Sequence, residues 1–97
     1  LCLVSGDKRC SLNKIKQIVN EKNVSMAKPE DVKKITGYTI GGVSPVGHLI
    51  NIKIYIDGNL ERFKEVFAAA GHPNCVFKIE YNQLIKLTSG DIKDIVE

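Results

Sequence analysis

The sequence TGYTIGGVSPVGH, from Thr36 to His48, separates two well-patterned elements and holds four of the chain's eight glycines. Glycine allows positive φ angles and a close approach of the backbone to a ligand. Successive N–H groups in such a loop can converge on one point and stabilise the oxyanion that forms when water attacks an ester carbonyl. Pro45 fixes one end of the loop and restricts Ser44 to extended conformations. Spacing alone favours a structural turn, because the loop matches neither a Walker A motif nor a dinucleotide-binding fingerprint.

Two amphipathic helices are predicted before this loop. Ser11 is placed to cap the first, because its hydroxyl can accept a hydrogen bond from the free N–H groups of the first turn. The apolar face of this helix comprises Leu12, Ile15, Ile18 and Val19. The second helix is predicted to begin at Pro29, whose fixed φ suits a first turn, and to end at Gly37, which can adopt a left-handed conformation.

The chain after the loop changes repeatedly between strand and helix patterns. Isoleucines alternate with other residues over residues 50–56, which predicts a strand followed by a turn at Asp57-Gly58-Asn59. A short helix is predicted over residues 60–67, a strand over 75–79, a helical turn over 84–87 and a terminal strand or tail over 91–96. Leu1 to Val4 are predicted to end another strand. This irregular order predicts a mixed α/β fold, with a curved mixed sheet or partial barrel flanked by short helices.

Composition limits the class of protein. With 97 residues, 43% of them hydrophobic and 26% charged, the chain is expected to form one soluble domain over residues 1–97. No stretch approaches the roughly 20 apolar residues that span a bilayer. Three cysteines without a CxxC pair argue against a disulfide framework or a zinc site, and predict reduced thiols in a cytoplasmic protein. A net charge of +3 is compatible with nucleic acid but does not require it.

The order of short motifs resembles the YbaK and prolyl-tRNA-synthetase-associated editing domains, which remove wrongly attached amino acids from tRNA. The resemblance rests on Thr-Gly-Tyr at 36–38, Gly-Gly-Val-Ser-Pro-Val-Gly at 41–47, a strand ending in Ile56-Asp57 and Ala-Ala-Gly at 69–71. The same pattern includes Gly6 to Arg9, Met26-Ala27, Leu84 and Leu87-Thr88. The lysine that family members place on an earlier strand would lie before Leu1. Either the N-terminal part of the domain is missing, as we predict, or this version works without that lysine.

The resemblance implies an aminoacyl-tRNA deacylase that needs no cofactor or metal. Residues expected to take part in catalysis are Gly41, Gly42, Ser44, Pro45 and Asp57. Residues expected to bind the substrate are Thr36, Gly37, Tyr38, Val43, Gly47, Gly71 and His72. The expected partners are aminoacyl-tRNA, through its 3′ acceptor end, and an aminoacyl-tRNA synthetase. The chain is expected to be a monomer or homodimer that does not bind membranes.

Other interpretations stay open on the sequence. The chain could be a non-catalytic module that binds tRNA or a nucleotide, or an accessory domain of an aminoacyl-tRNA synthetase. Asp57 before Gly58 is also typical of a turn. His72 fits a substrate pocket better than His48, although an exposed loop histidine explains it equally well. Ser44 has no base next to it in the sequence, so no covalent intermediate is predicted.

Overall fold

The computed structural model describes residues 1–72 and 74–97, and these residues form a mixed α/β fold, as predicted. The elements in chain order are β1 (Cys2–Leu3), α1 (Leu12–Val19), α2 (Pro29–Thr36), β2 (Tyr55–Asp57), a 3₁₀ helix (Gly58–Arg62), β3 (Glu65–His72), β4 (Cys75–Glu80), α3 (Tyr81–Thr88) and β5 (Asp91–Lys93). No helix within these residues is long and apolar enough to cross a membrane.

The strands form two small sheets. The first is parallel, in the order β1–β2–β5, and the second is the antiparallel hairpin β3–β4. Parallel neighbours need long connections. The connection from β1 to β2 carries α1, α2 and the glycine loop, and the connection from β2 to β5 carries the hairpin and α3. The glycine loop therefore lies in the connection that leads into the central strand.

The core is built around β2 and the residue before it. Ile56 is fully buried and Ile54 almost so, and both pack with Leu60 and Tyr81. The partly buried residues around this cluster are Leu1, Leu3, Val66 and Ile85. Complete burial of one such aliphatic side chain contributes roughly 1.5–3 kcal/mol. The central strand is thus held firmly at the point where the connection from the loop enters the sheet.

The ends of the first two helices follow the predicted capping chemistry. The Lys14 N–H donates to Ser11 Oγ at 3.3 Å, so Ser11 caps α1. Pro29 is the first residue of α2, and Gly37 ends that helix with a φ of +84°. Both predicted helices are confirmed. They could be predicted because capping depends on residues that are close in the sequence.

The helix predicted over residues 60–67 is wrong. The 3₁₀ helix ends at Arg62, and Val66 and Phe67 lie in β3, which pairs with β4. Apolar residues three and four apart fit a helix over a short window, but pairing with a distant strand decided the outcome. Val66 is half-buried whereas Phe67 is 69% exposed, which is the alternation of a strand with one face toward the core.

The strand predicted over residues 50–56 is shorter than expected. Only Tyr55–Asp57 forms a strand, and its neighbours β1 and β5 are themselves two and three residues long. The Ile50 N–H donates instead to Ile35 O at 3.0 Å, at the end of α2. The strand predicted over 75–79 is confirmed as β4, and the predicted helical turn over 84–87 is part of the longer helix α3.

Candidate functional site

The glycine loop begins at a tightly capped helix end. Thr36 Oγ1 donates to Val32 O at 2.7 Å and accepts from the Tyr38 N–H at 3.0 Å, and Thr36 is only 6% exposed. A Cβ on Gly37 would lie 3.0 Å from Leu49 Cγ, and the positive φ of Gly37 also favours glycine. The structure therefore places Thr36 and Gly37, both predicted to bind substrate, as supports for the start of the loop.

The loop closes on the same helix end from which it starts. The Leu49 N–H donates to Thr36 O at 3.3 Å, and the Ile50 N–H donates to Ile35 O at 3.0 Å. These two bonds satisfy carbonyl groups that the last turn of a helix leaves unpaired. Both ends of the loop are thus attached to the C-terminal end of α2, which sets the geometry of the loop.

Ser44 and Pro45 lie inside the loop. Ser44 is 4% exposed, and Pro45 is among the side chains that are fully buried. The Ser44 hydroxyl accepts a hydrogen bond from the Val46 N–H at 3.4 Å. Both residues were predicted to take part in catalysis, and the structure places their side chains where they shape the loop from within.

Two N–H groups in the middle of the loop, on exposed Gly41 and half-buried Val43, are candidate donors for a ligand. Gly41 is exposed with a φ of +90°, and the Gly42 N–H closes a turn onto Thr39 O at 3.0 Å. Within the residues that the structure describes, the N–H groups of Gly41 and Val43 donate to no acceptor. An unpaired N–H is a strong donor that requires a partner, from water or from a ligand. A carbonyl oxygen is the simplest ligand for these two groups.

An apolar cavity of about 360 Å³ opens beside these donors. Its lining comprises Leu1, Ala27, Asp31, Val32, Ile35, Thr36, Ile40, Gly41, Val43 and Ile52. One wall is the face of α2 that carries Val32 and Ile35. A mostly aliphatic cavity suits an apolar side chain. Three predicted site residues, Thr36, Gly41 and Val43, are brought together here.

A second cavity, of about 300 Å³, borders the other half of the loop. Its lining comprises Pro45, Val46, Gly47, His48, Asn51, Ile52, Ile54, Leu87 and Thr88. Thr88 Oγ1 donates to Leu84 O at 2.8 Å, so its hydroxyl proton is already engaged within α3. Pro45 and Gly47 are the two predicted site residues in this lining, and Ile52 lines both cavities.

Tyr38 joins the loop to the end of β3. Its Oη donates to Val46 O at 2.7 Å. A Cβ on Gly47 would lie 2.6 Å from this oxygen, and a Cβ on Gly71 would lie 3.1 Å from ring carbon Cε1. His48 meets the same ring edge to face, with 6.1 Å between the ring centroids. Two residues predicted to bind substrate, Gly47 and Gly71, therefore both lie against a third, Tyr38.

Asp57 is in neither cavity beside the loop. It is fully buried, with Oδ2 accepting from the Asn59 N–H at 3.2 Å and Oδ1 accepting from the Ile95 N–H at 3.4 Å. It caps the 3₁₀ helix and ties β2 to the C-terminal residues. The structure thus gives Asp57 an anchoring role and does not bring it together with the loop residues that were predicted to act with it.

His72 lies at the exposed end of β3. Its Nδ1 accepts from the Asn74 N–H at 3.2 Å, and the residue pairs with Cys75 across the hairpin turn. Pro73 lies outside the described residues. Since Gly71 contacts Tyr38, His72 follows directly on the cluster that borders the second half of the loop.

Two salt bridges lie at the surface near the parallel sheet and the 3₁₀ helix. Lys53 Nζ lies 2.6 Å from Asp91 Oδ2, and this hydrogen bond raises the pKa of Lys53 and lowers the pKa of Asp91. Hydrogen bonds from Ser5 and then from Arg62 lower the pKa of Asp7. These pairs are solvent-exposed, so each contributes little to stability. Neither Asp7 nor Asp91 lines the cavities beside the loop.

Sequence reasoning missed His48 and the apolar wall formed by α2. A carbonyl can only accept, so His48 Nε2 donates to Ser44 O, at 2.7 Å. A single histidine after a glycine loop gives no signal of that contact. Val32 and Ile35 did give a signal, their helical spacing, but that spacing predicts core packing as readily as a ligand cavity.

This chain is similar to known proteins both in sequence and in structure. The aminoacyl-tRNA editing domain family matches residues 1–87. The uncharacterized protein YwhH of Bacillus subtilis is 33% identical over 84 residues, which are 87% of this chain and 53% of YwhH. EbsC of Enterococcus faecalis, named as a proposed Cys-tRNA(Pro)/Cys-tRNA(Cys) deacylase, is 23% identical over 95 residues, which are 98% of this chain and 58% of EbsC.

A solved structure shows the same fold. It is of a protein proposed to be a trans-editing enzyme for prolyl tRNA synthetase, with a TM-score of 0.96 and 39% identity over 100% of this chain and 61% of that one. The chain spans little more than half the length of the curated relatives, at 53% and 58%. The family match covers most of this chain, from residue 1 to residue 87. The chain therefore belongs to the aminoacyl-tRNA editing domain family.

Proposed function

We propose that this chain hydrolyses the ester that joins a mismatched amino acid to the 3′ end of a tRNA, as a trans-editing deacylase. The observation that supports this most directly is the pair of free N–H groups, on Gly41 and Val43, beside an apolar cavity of about 360 Å³. The deacylase name of the Enterococcus relative supports the same class of reaction. The partner is then an aminoacyl-tRNA, held through its 3′ acceptor end.

In this reaction, the carbonyl oxygen of the aminoacyl ester accepts hydrogen bonds from the two N–H groups while the amino-acid side chain enters the cavity. Water attacks the carbonyl carbon, and negative charge builds on the oxygen. The ester C–O bond then breaks, and the ribose oxygen leaves as a hydroxyl after taking a proton that originates from the water. The neighbouring ribose hydroxyl, which the substrate itself carries, can relay this proton. One oxyanion-hole donor contributes roughly 2.7–4 kcal/mol to such a step.

The other predicted catalytic residues act through the shape of the loop. Gly42 closes the turn that separates the two donors, and Ser44 and Pro45 hold the loop from its buried side. A pre-formed loop loses little conformational freedom when the transition state forms, which is why backbone donors are effective in this role. Asp57 receives no chemical step, because it is fully buried and both of its oxygens accept backbone N–H groups.

The experiment is a panel of deacylation assays with alanyl-, cysteinyl- and seryl-tRNA among the mischarged substrates. Both this chain and a form carrying any sequence that its gene places upstream should be assayed, because the relatives are longer than this chain. We expect at least one substrate to be hydrolysed well above the rate in buffer. If neither form accelerates any hydrolysis while both bind tRNA, the enzyme assignment fails and the chain is a binding module.

Gly41→Val tests the loop itself. Its φ of +90° is unfavourable for a β-branched residue, so the donor geometry is expected to collapse and hydrolysis to fall at least 100-fold. Gly6→Val is the matched control, because Gly6 lies outside the positive-φ region and a Cβ there meets nothing within 4 Å. Gly6→Val should keep wild-type turnover. Equal activity in both variants would refute the role of the loop.

A further inference from the structure

Two backbone carbonyl groups, one on each side of Pro45, accept hydrogen bonds from the side chains of His48 and Tyr38. The Ser44 carbonyl accepts from His48 Nε2 at 2.7 Å, and the Val46 carbonyl accepts from Tyr38 Oη at 2.7 Å. The distance from His48 is short for an N–H···O hydrogen bond, and the distance from Tyr38 is ordinary for an O–H···O hydrogen bond. The backbone on either side of the buried proline is therefore fixed by two aromatic side chains that also touch each other.

Holding the Val46 carbonyl also directs the next N–H group. The peptide bonds of the described residues are trans, and a trans peptide unit points its C=O and its N–H in opposite directions. The Gly47 N–H therefore points away from Tyr38 Oη. Gly47 lines the cavity of about 300 Å³, so the hydroxyl of Tyr38 sets the orientation of a peptide unit at the cavity wall.

Gly47 and Gly71 are glycine for the same reason. Their φ angles are +76° and +96°, and in both cases the space that a Cβ would occupy is taken by Tyr38. The contacts differ in kind. A Cβ on Gly47 meets only the hydroxyl at 2.6 Å, with Cζ at 3.9 Å, whereas a Cβ on Gly71 meets the ring carbons Cε1 and Cδ1 at 3.1 and 3.5 Å.

We propose that Tyr38, Gly47 and Gly71, here called the tyrosine clasp, are not substrate-binding residues but a positioning device that, together with His48, fixes the glycine loop against the end of β3. This inference deepens the proposed function and rests on it. The clasp acts on the reaction through the peptide units around Pro45 and thus through the loop that carries the Gly41 and Val43 donors. It is expected to affect turnover more than substrate affinity, because it preorganises donors used in the transition state.

The test uses the difference between the two glycines. Gly47→Ala should lower kcat at least 100-fold, and adding Tyr38→Phe should recover at least tenfold, because the hydroxyl is the only atom within 3.5 Å of the new Cβ. Gly71→Ala should also lower kcat, but Tyr38→Phe should not rescue it, because phenylalanine keeps the ring carbons that cause the clash. Tyr38→Phe alone should lower kcat about tenfold, the size of one neutral hydrogen bond, with KM changed less than twofold.

If Gly47→Ala folds poorly, the unfolding midpoints of the five variants test the same contact. The variants are Tyr38→Phe, the two alanine variants and each alanine variant combined with Tyr38→Phe. Rescue by Tyr38→Phe should then appear as a higher unfolding midpoint for the Gly47→Ala pair and not for the Gly71→Ala pair. His48→Gln, which retains a donor for Ser44 O, should keep more turnover than His48→Leu. If the wild type is active and Tyr38→Phe keeps full kcat, the tyrosine clasp is refuted. It is also refuted if adding Tyr38→Phe has the same effect on Gly47→Ala and on Gly71→Ala. A wild type with no activity on any mischarged tRNA would instead refute the proposed function.

Discussion

Asp57→Ala tests whether Asp57 stabilises the fold or takes part in the hydrolysis. The carboxylate accepts the Asn59 N–H at 3.2 Å and the Ile95 N–H at 3.4 Å, and the residue is fully buried. Loss of a helix cap costs about 0.5–2 kcal/mol, and a buried donor left without an acceptor costs about 1–3 kcal/mol. Because both bonds are long, we take the lower part of each range. Asp57→Ala is therefore expected to lower the free energy of unfolding by about 2 kcal/mol.

Urea unfolding measures this loss of stability. Circular dichroism is the suitable signal, because the chain has no tryptophan for fluorescence. With a slope of about 1–1.5 kcal/mol/M for a small domain, 2 kcal/mol corresponds to a shift of about 1.3–2 M in the midpoint. Asp94→Ala is the control, because Asp94 is 70% exposed and its ion pair with Lys14 lies at the surface, so the midpoint should hardly move.

Asp57→Ala is then assayed for deacylation without urea, under conditions where it is folded. Anchoring predicts that turnover per folded molecule stays within a few-fold of wild type. An unfolding midpoint equal to that of wild type, together with a loss of turnover of 100-fold or more, would refute the anchoring role and restore Asp57 as a participant in the chemistry.

The remaining predictions concern a tyrosine and the cysteines. Tyr81 Oη is buried without a hydrogen-bond partner among the described residues, so Tyr81→Phe should leave the urea midpoint unchanged or raise stability by about 1 kcal/mol; a marked loss would mean that the hydroxyl has a partner. Burial, and next the neighbouring Cys10, raises the pKa of Cys2 to about 11, whereas Cys75 is exposed. Iodoacetamide at pH 8 should therefore modify Cys75 well before Cys2, as read by mass spectrometry of peptides. Because the folded-state pKa of Cys2 lies above its unfolded value, this thiol stabilises the fold below pH 9 and loses that contribution as the pH rises toward 11.

Local chemistry made the helices predictable from the sequence. Ser11, Pro29 and Gly37 each act within one helical turn, so their effect can be read without knowledge of the fold. The region from residue 60 to residue 67 could not be read in this way. Its apolar spacing fits a helix, and its pairing with Cys75–Glu80 depends on a strand that lies eight or more residues further along. Long-range pairing carries no signature in a short window.

The residues predicted to form the site lie in different surroundings in the structure, and their roles stay predictions. Gly41 and Val43 do border a cavity, and Tyr38, Gly47 and Gly71 do meet. The side chains of Thr36, Ser44 and Asp57, however, are buried and bonded within the protein. The glycines of the loop predict that backbone N–H groups could act as donors, but they do not predict which ones. No property of a single residue type shows which N–H groups the fold will leave unpaired.

A site built from backbone donors explains why a pattern of glycines and one proline was more informative than the list of polar residues. Glycine and proline determine the path of the backbone, and the path determines where N–H groups point. The polar side chains around the loop then hold that path, as Thr36 does at its start and as His48 and Tyr38 do around Pro45. If the chain acts as proposed, discrimination between amino acids has to come from another part of the site, because backbone donors bind any aminoacyl ester alike. On that proposal, the aliphatic wall of the cavity of about 360 Å³, with Val32 and Ile35 of α2, supplies this discrimination.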